Sequence, residues 1–133
     1  MSSMNNFENL NNTADYTNTF DPADIQQNKL MGVLAYLSWL VLIPIFAAPK
    51  SKFARFHANQ GLILAIVHTS WIILSTILEF ILTIINWYVG WIFGIIFTLL
   101  GLVFIVPLIL GIINASNGRA KELPLIGKIR ILK

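Results

Sequence analysis

An all-α integral membrane protein with three transmembrane helices is the fold class this sequence predicts, and three observations predict it. The chain has 133 residues, 56% hydrophobic and only 11% charged, with a mean hydropathy of +0.74; soluble domains are about 25% charged. Between Arg55 and Arg119 lie 63 residues with one formally charged side chain, Glu79. Three apolar stretches, about 30–48, 61–85 and 89–113, are each long enough to cross a hydrocarbon core of about 30 Å at about 1.5 Å per residue.

Residues 1–29 are acidic and rich in asparagine, with Glu8, Asp15, Asp21 and Asp24 against Lys29 and no apolar period. Too little apolar surface is available there to offset the entropy of ordering, so the segment reads as a disordered tail. It lacks the basic start and apolar stretch of a secretory signal peptide, so the first span must act as its own insertion signal. That span, Leu30 to Ala48, carries Pro44, which loosens its last turn. A polar, basic loop follows over 49–60. The second span ends near Ile85, and Asn86 with Trp87, Tyr88 and Trp91 marks a turn in the headgroup belt. The third span holds Gly90, Gly94 and Gly101 within about 40° on one helical face, a groove for close packing, against the first or second span or against another copy. Residues 114–133 are basic, broken by Asn117-Gly118 and Pro124, and read as a tail lying in the membrane interface.

Charge placement sets the expected orientation. Three crossings put the 49–60 loop and the tail on one side, gathering Lys50, Lys52, Arg55, Arg119, Lys121, Lys128, Arg130 and Lys133 there, with Lys29 alone opposite. The positive-inside rule then places the C-terminus in the cytoplasm and the N-terminus outside, in the inner membrane. The same bases are expected to meet anionic lipid headgroups, at about 1 kcal/mol each near the surface. They flank apolar spans instead of lining one exposed face, so nucleic acid is not an expected partner.

Chemistry-bearing residues are few. The absence of cysteine removes disulfides, thiolate nucleophiles and thiolate metal sites. No metalloprotease, nucleophile-elbow or phosphate-loop motif occurs, so neither an enzyme nor a cofactor or metal is expected. On the second helix His57, His68, Ser75, Glu79 and Asn86 fall within about 20° of one line. Polar groups in hydrocarbon turn toward other helices or a hydrated cavity. His68, Ser75, Glu79 and Asn86 thus outline either an intramembrane polar path or interhelical hydrogen bonding. His68 and Glu79 are about 16 Å apart along the axis, too far to share a metal or pass a proton directly.

The segments KFARFHANQGL and GIINASNGRAKELPLIGKIRIL are the least generic. In the first, two phenylalanines can enter the interface while Arg55 reaches phosphates, and His57 or Asn59 can cap the helix that follows. Together the two segments resemble the small bacterial membrane proteins related to the plastid inner-envelope import component, the Tic-type channel subunit, and to the magnetosome MamF-type proteins. The resemblance covers about residues 30–133, and its motif residues here are Arg55, Phe56, His57, Gln60, Asn114, Gly118, Pro124 and Gly127. It implies a small integral membrane protein whose motif residues meet a partner or lipid. The plastid relatives are four-span import components, one span more than the three counted here.

The expected function is therefore non-enzymatic, a structural or assembly partner, with another membrane protein or a second copy as associate. The alternative is an oligomeric transport or channel subunit whose polar path runs along the second helix.

Overall fold

The structure is a computed structural model that describes residues 8–132. Its helices are α1 (Pro22–Leu34), α2 (Leu42–Ala47), α3 (Lys52–Ile85), α4 (Trp87–Gly101) and α5 (Ile105–Ser116), with short 3-10 turns at Thr17–Thr19, Ser38–Val41 and Leu102–Phe104. Two helical rods, Lys52–Ile85 and Trp87–Ser116, are long and apolar enough to cross a membrane. The chain divides into two units: residues up to Ala65 together with Pro107 onward, and Ile66–Val106.

The expected first span is not a span. Within 30–48, α1 ends at Leu34, Ser38 takes a left-handed backbone (φ 55°), and the apolar residues continue as a 3-10 turn and the six-residue α2, which packs back on α1. Thirteen helical residues reach only about 20 Å. The break has a cause: Ala35 and Tyr36 are drawn in against α3 and are 0% and 1% exposed. A Cβ on Gly61 would lie 1.7 Å from the Ala35 carbonyl oxygen, so only glycine lets α3 pass the turn at that distance. Among the described residues, two helices of spanning length therefore replace the three expected.

The acidic segment is ordered where it is described. Asp21 caps α1 by accepting from the Ala23 N–H at 3.0 Å, with Pro22 at the first helical position. Upstream, Tyr16 N–H donates to the Ala120 carbonyl, Glu122 N–H to the Ala14 carbonyl, and Asp15 and Lys121 form an antiparallel bridge. Residues 1–7 of the expected tail lie outside the described residues. Residues 14–16 and 120–122 therefore lie side by side.

The second unit is a helical hairpin. Asn86 alone joins α3 to α4, and its side chain accepts from the Tyr88 and Val89 N–H groups at 2.9 and 3.4 Å. The glycine groove of α4 faces α3: Gly90 lies against Thr83, Gly94 against Glu79 and Gly101 against Trp71. The groove therefore packs within the chain. Most large apolar side chains of the hairpin point outward, Leu74, Phe80 and Ile84 among them.

Candidate functional site

The first turns of α3 carry the motif, and they are set by capping from two sides. Ser51 Oγ accepts from the Ala54 N–H at 3.0 Å, while Asp24, reaching over from α1, accepts from the Ser51 hydroxyl at 2.5 Å and the Phe53 N–H at 3.0 Å. A carboxylate at a helix N-terminus also meets the positive end of the helix dipole. Phe53 and Phe56 do not enter an interface. They are 0% and 8% exposed, packed with Ile25 and Ala120 and with Phe20 beside them.

His57 and Gln60 lie fully buried on the same helical face and close a hydrogen-bonded network onto the C-terminal segment. His57 Nε2 is 2.9 Å from the Arg119 carbonyl oxygen, which can only accept, so the proton of the neutral ring is on Nε2. Nδ1 then accepts from the Tyr36 hydroxyl at 2.6 Å, and the Tyr36 oxygen accepts from Gln60 Nε2 at 2.9 Å. Gln60 also donates to the Lys121 carbonyl at 3.2 Å and accepts from the Leu123 N–H at 2.5 Å. Next to Gln60 in the chain, Asn59 donates to the Ile129 carbonyl at 2.7 Å and accepts from the N–H groups of Ile131 and Leu132 at 2.6 and 2.9 Å. Three consecutive chemistry-bearing positions of α3 thus hold the backbone of residues 119–132. No buried side-chain polar atom among the described residues lacks a partner, which a buried network requires to be stabilising.

Electrostatics follow from burial. Burial drives the His57 imidazole down to about 4, against the opposing hydrogen bond to the Arg119 carbonyl, so the ring is neutral at physiological pH. Burial likewise pushes the Tyr36 phenol up. Burial alone would raise Asp24, but its hydrogen bonds from Ser51, Phe53 and Asn28 outweigh that and hold it below the usual carboxylate range. Arg130 pairs with Glu122 at 3.2 Å and lies over the rings of Tyr16 and Phe56, at 5.7 and 5.1 Å from their centroids. Arg130 lines, with Lys52, Arg55, Tyr16, Phe20 and Phe56, an open cleft of about 480 Å³.

The remaining motif residues serve the same closure. Asn114 is fully buried and exchanges two hydrogen bonds with the amide of Asn11, at 2.9 and 3.0 Å. Gly118 takes a φ of 70° just past the end of α5, where glycine is the favoured residue. Pro124 opens a turn that closes with the Gly127 N–H donating to the Leu123 carbonyl at 3.0 Å. Sequence reasoning missed Tyr36, Asn11 and Asp24. The Asp21-Pro22 cap and Ser51 had readable signals; Tyr36 had none, being one aromatic in an apolar run.

The members of the expected polar path each meet local partners. Asn86 is spent on its cap, Ser75 donates to its own helix at the Ile72 carbonyl (3.1 Å), and His68 packs its ring 4.9 Å from that of Phe104. Glu79 stands apart from them, over the Gly94 backbone. Among the described residues no group of three or more His, Cys, Asp or Glu could hold one metal ion. In chemical terms His57 has both nitrogens occupied and offers no lone pair to a substrate.

The model of one family, described as the magnetosome magnetite crystal formation protein family (MamF/MmsF), matches residues 27–132. No curated protein and no solved structure matches the chain. The match covers both motif segments and supports the magnetosome side of the resemblance; it does not show the likeness to the plastid import component.

Proposed function

The chain belongs to the magnetosome magnetite crystal formation protein family, and from that premise we propose that it works without catalysis, as a membrane-anchored assembly component. The α3–α4 hairpin crosses a bilayer, and the folded polar unit presents a surface to a partner protein. The observation that carries this reading is the use made of the motif: His57, Asn59, Gln60 and Asn114 are buried and spent on closing the fold around the C-terminal segment. Side chains so used shape a surface and leave none of themselves for turnover.

Two crossings return the chain to the side it left, so all nine Lys and Arg residues fall on one face. The positive-inside rule then favours both ends in the cytoplasm of a cell whose inner membrane, or a magnetosome membrane, holds the hairpin. The apolar turn and α2 over 38–47 expose Trp39, Leu42 and Phe46 and have the character of a re-entrant element. Leading into it, the N–H groups of Ala35, Tyr36 and Leu37 bond to carbonyls of α1, and the Leu40 N–H bonds to the Leu37 carbonyl, as hydrocarbon demands. The cleft of Lys52, Arg55 and Arg130 suits an anionic headgroup at the membrane surface.

Photocrosslinking in native membranes tests the assembly role. A crosslinker at Asn18 or Lys128 is expected to capture a discrete protein partner, and one at Ile84 to capture lipid. The opposing reading, an oligomeric transport subunit, predicts ion flux into proteoliposomes that Glu79→Gln abolishes. Flux of that kind, with no partner captured from the polar unit, overturns the proposal.

A further inference from the structure

The open cleft of the polar unit is lined by bases and aromatic rings and, among the described residues, by no Asp or Glu. Its volume of about 480 Å³ falls within the roughly 300–1,000 Å³ of small-ligand sites. Lys52 and Arg55 enter it from the first four residues of α3, and Arg130 enters from the C-terminal segment. Cations brought round one space repel each other, and an anion placed among them removes that cost.

The floor of the cleft is apolar. Phe56 stands at its centre, with the rings of Tyr16 and Phe20 edge-on to it at centroid distances of 6.0 and 5.8 Å. Arg130 lies over the rings of Tyr16 and Phe56, and its Nη2 is 3.2 Å from Glu122 Oε1. The guanidinium is thus held in one pose while its side chain stays 41% exposed. With five N–H donors in a fixed fork, it has others to offer a phosphate oxygen. Thr19 and Asn59, which also line the cleft, are committed to the protein. The Thr19 hydroxyl donates to the Tyr16 carbonyl at 2.6 Å, and the Asn59 amide bonds the backbone of residues 129, 131 and 132. Recognition of a guest therefore falls mainly to the bases and the rings.

These two features match the two halves of one ligand class. Phosphate oxygens take charge-assisted hydrogen bonds from guanidinium and ammonium groups, and aromatic faces bury apolar surface. A free phosphate ion would use the bases and leave the floor bare. An uncharged amphiphile would use the floor and leave the bases without an anion.

The site is also discontinuous in sequence. Its walls come from residues 16–20, 52–59 and 130–132. Asn59 ties the last of these to α3, and backbone bonds tie residues 14–16 to 120–122. Only the closed unit contains such a cleft, so a guest that binds there stabilises closure by mass action.

On the reading that the α3–α4 hairpin keeps this unit at a bilayer, we propose that the cleft is a saturable site for one anionic glycerophospholipid. The phosphate is taken by Lys52, Arg55 and Arg130, the apolar part lies on Tyr16, Phe20 and Phe56, and the bound lipid clasps the three segments together.

Native mass spectrometry of the full chain released from dodecyl maltoside micelles tests the site. One phosphatidylglycerol is expected to stay bound under conditions that strip phosphatidylcholine. The double variant Lys52→Gln, Arg55→Gln is expected to bind it about tenfold or more weakly, the scale set by losing charge-assisted hydrogen bonds. In the same micelles phosphatidylglycerol is expected to raise the thermal unfolding midpoint of the unaltered chain and not that of the variant. Helical content and the lipid-free midpoint report whether the variant folds. Where Arg55→Gln lowers that midpoint, Lys52→Gln alone, at an exposed position, carries the comparison and is expected to weaken binding in the same direction. Equal retention of phosphatidylcholine, or equal affinity in the folded variants, overturns the proposal. So does displacement of the lipid by inorganic phosphate at matching concentration, which identifies a site for the free anion.

Alkaline carbonate extraction of native membranes separates the two possible failures. A chain that stays in the membrane yet binds no phosphatidylglycerol leaves the anchored role standing and removes the lipid site. A chain released by carbonate has no spanning hairpin, and both readings fall together.

Discussion

His57 shows how much a single residue type can conceal. Histidine beside arginine and glutamine at a membrane surface reads as a recognition group, yet here it is a neutral crosslink between Tyr36 and the Arg119 carbonyl. Its folded value of about 4 lies below the ordinary 6.5, so acidification protonates the unfolded chain first. The stability it supports is complete above about 6.5 and is lost as pH falls toward about 4. Asp24 is also held low, so its contribution is present above its ordinary 3.8 and declines only below that. Denaturant unfolding in detergent is therefore expected to show stability falling between pH 6.5 and 4; a flat profile over that window would mean that the ring is not buried neutral. Leu125 gives the opposite kind of prediction. It is 99% exposed with a φ of 70°, a conformation that costs a residue with a Cβ about 1–2 kcal/mol. Leu125→Gly gives up no packing and is expected to leave the protein equally stable or up to about 1 kcal/mol more stable, measured by the same unfolding.

At the scale of elements, the two long rods and their one-residue turn were legible because they depend on local quantities: uncharged length, a capping asparagine and a helical stripe of glycines. The glycine stripe was readable as a groove, though its partner, α3, was not, because spacing on one helix does not say which helix fills it. The first span failed for a related reason. Apolar length from 30 to 48 satisfies a hydropathy count, whereas the break at 35–38 is caused by contacts with Gly61 and Gly111, which lie 26 and 75 residues beyond Ala35 and Tyr36. Gly61→Ala tests that cause. Its methyl would collide with the Ala35 carbonyl, so a loss of about 1–3 kcal/mol or more is expected, with the tryptophan fluorescence of Trp39 altered; a neutral effect means that α3 does not approach the turn this closely. The motif segments were recognisable as special, but their joint role was not, since Asn59 and Gln60 act on backbone atoms of residues 121–132 and backbone atoms carry no sequence signature.

For the whole molecule the prediction is one of sidedness. Single cysteines at Asn18 and Ser116 are expected to react with an impermeant maleimide from the same side of intact cells or vesicles, and one at Asn86 from the other; labelling of 18 and 116 from opposite sides would contradict the pairing of residues 14–16 with 120–122. That pairing also bears on how the protein is made. The polar unit is discontinuous in sequence: Asn11 meets Asn114, 103 residues later, and His57 waits for Arg119. Synthesis runs from the N-terminus, so the hairpin leaves the ribosome before the unit can close. Until residues 119–132 arrive, His57, Asn59 and Gln60 have polar groups without their final partners. The polar unit therefore closes only once residues 119–132 have been made, and a chain cut before them keeps these buried groups unpaired.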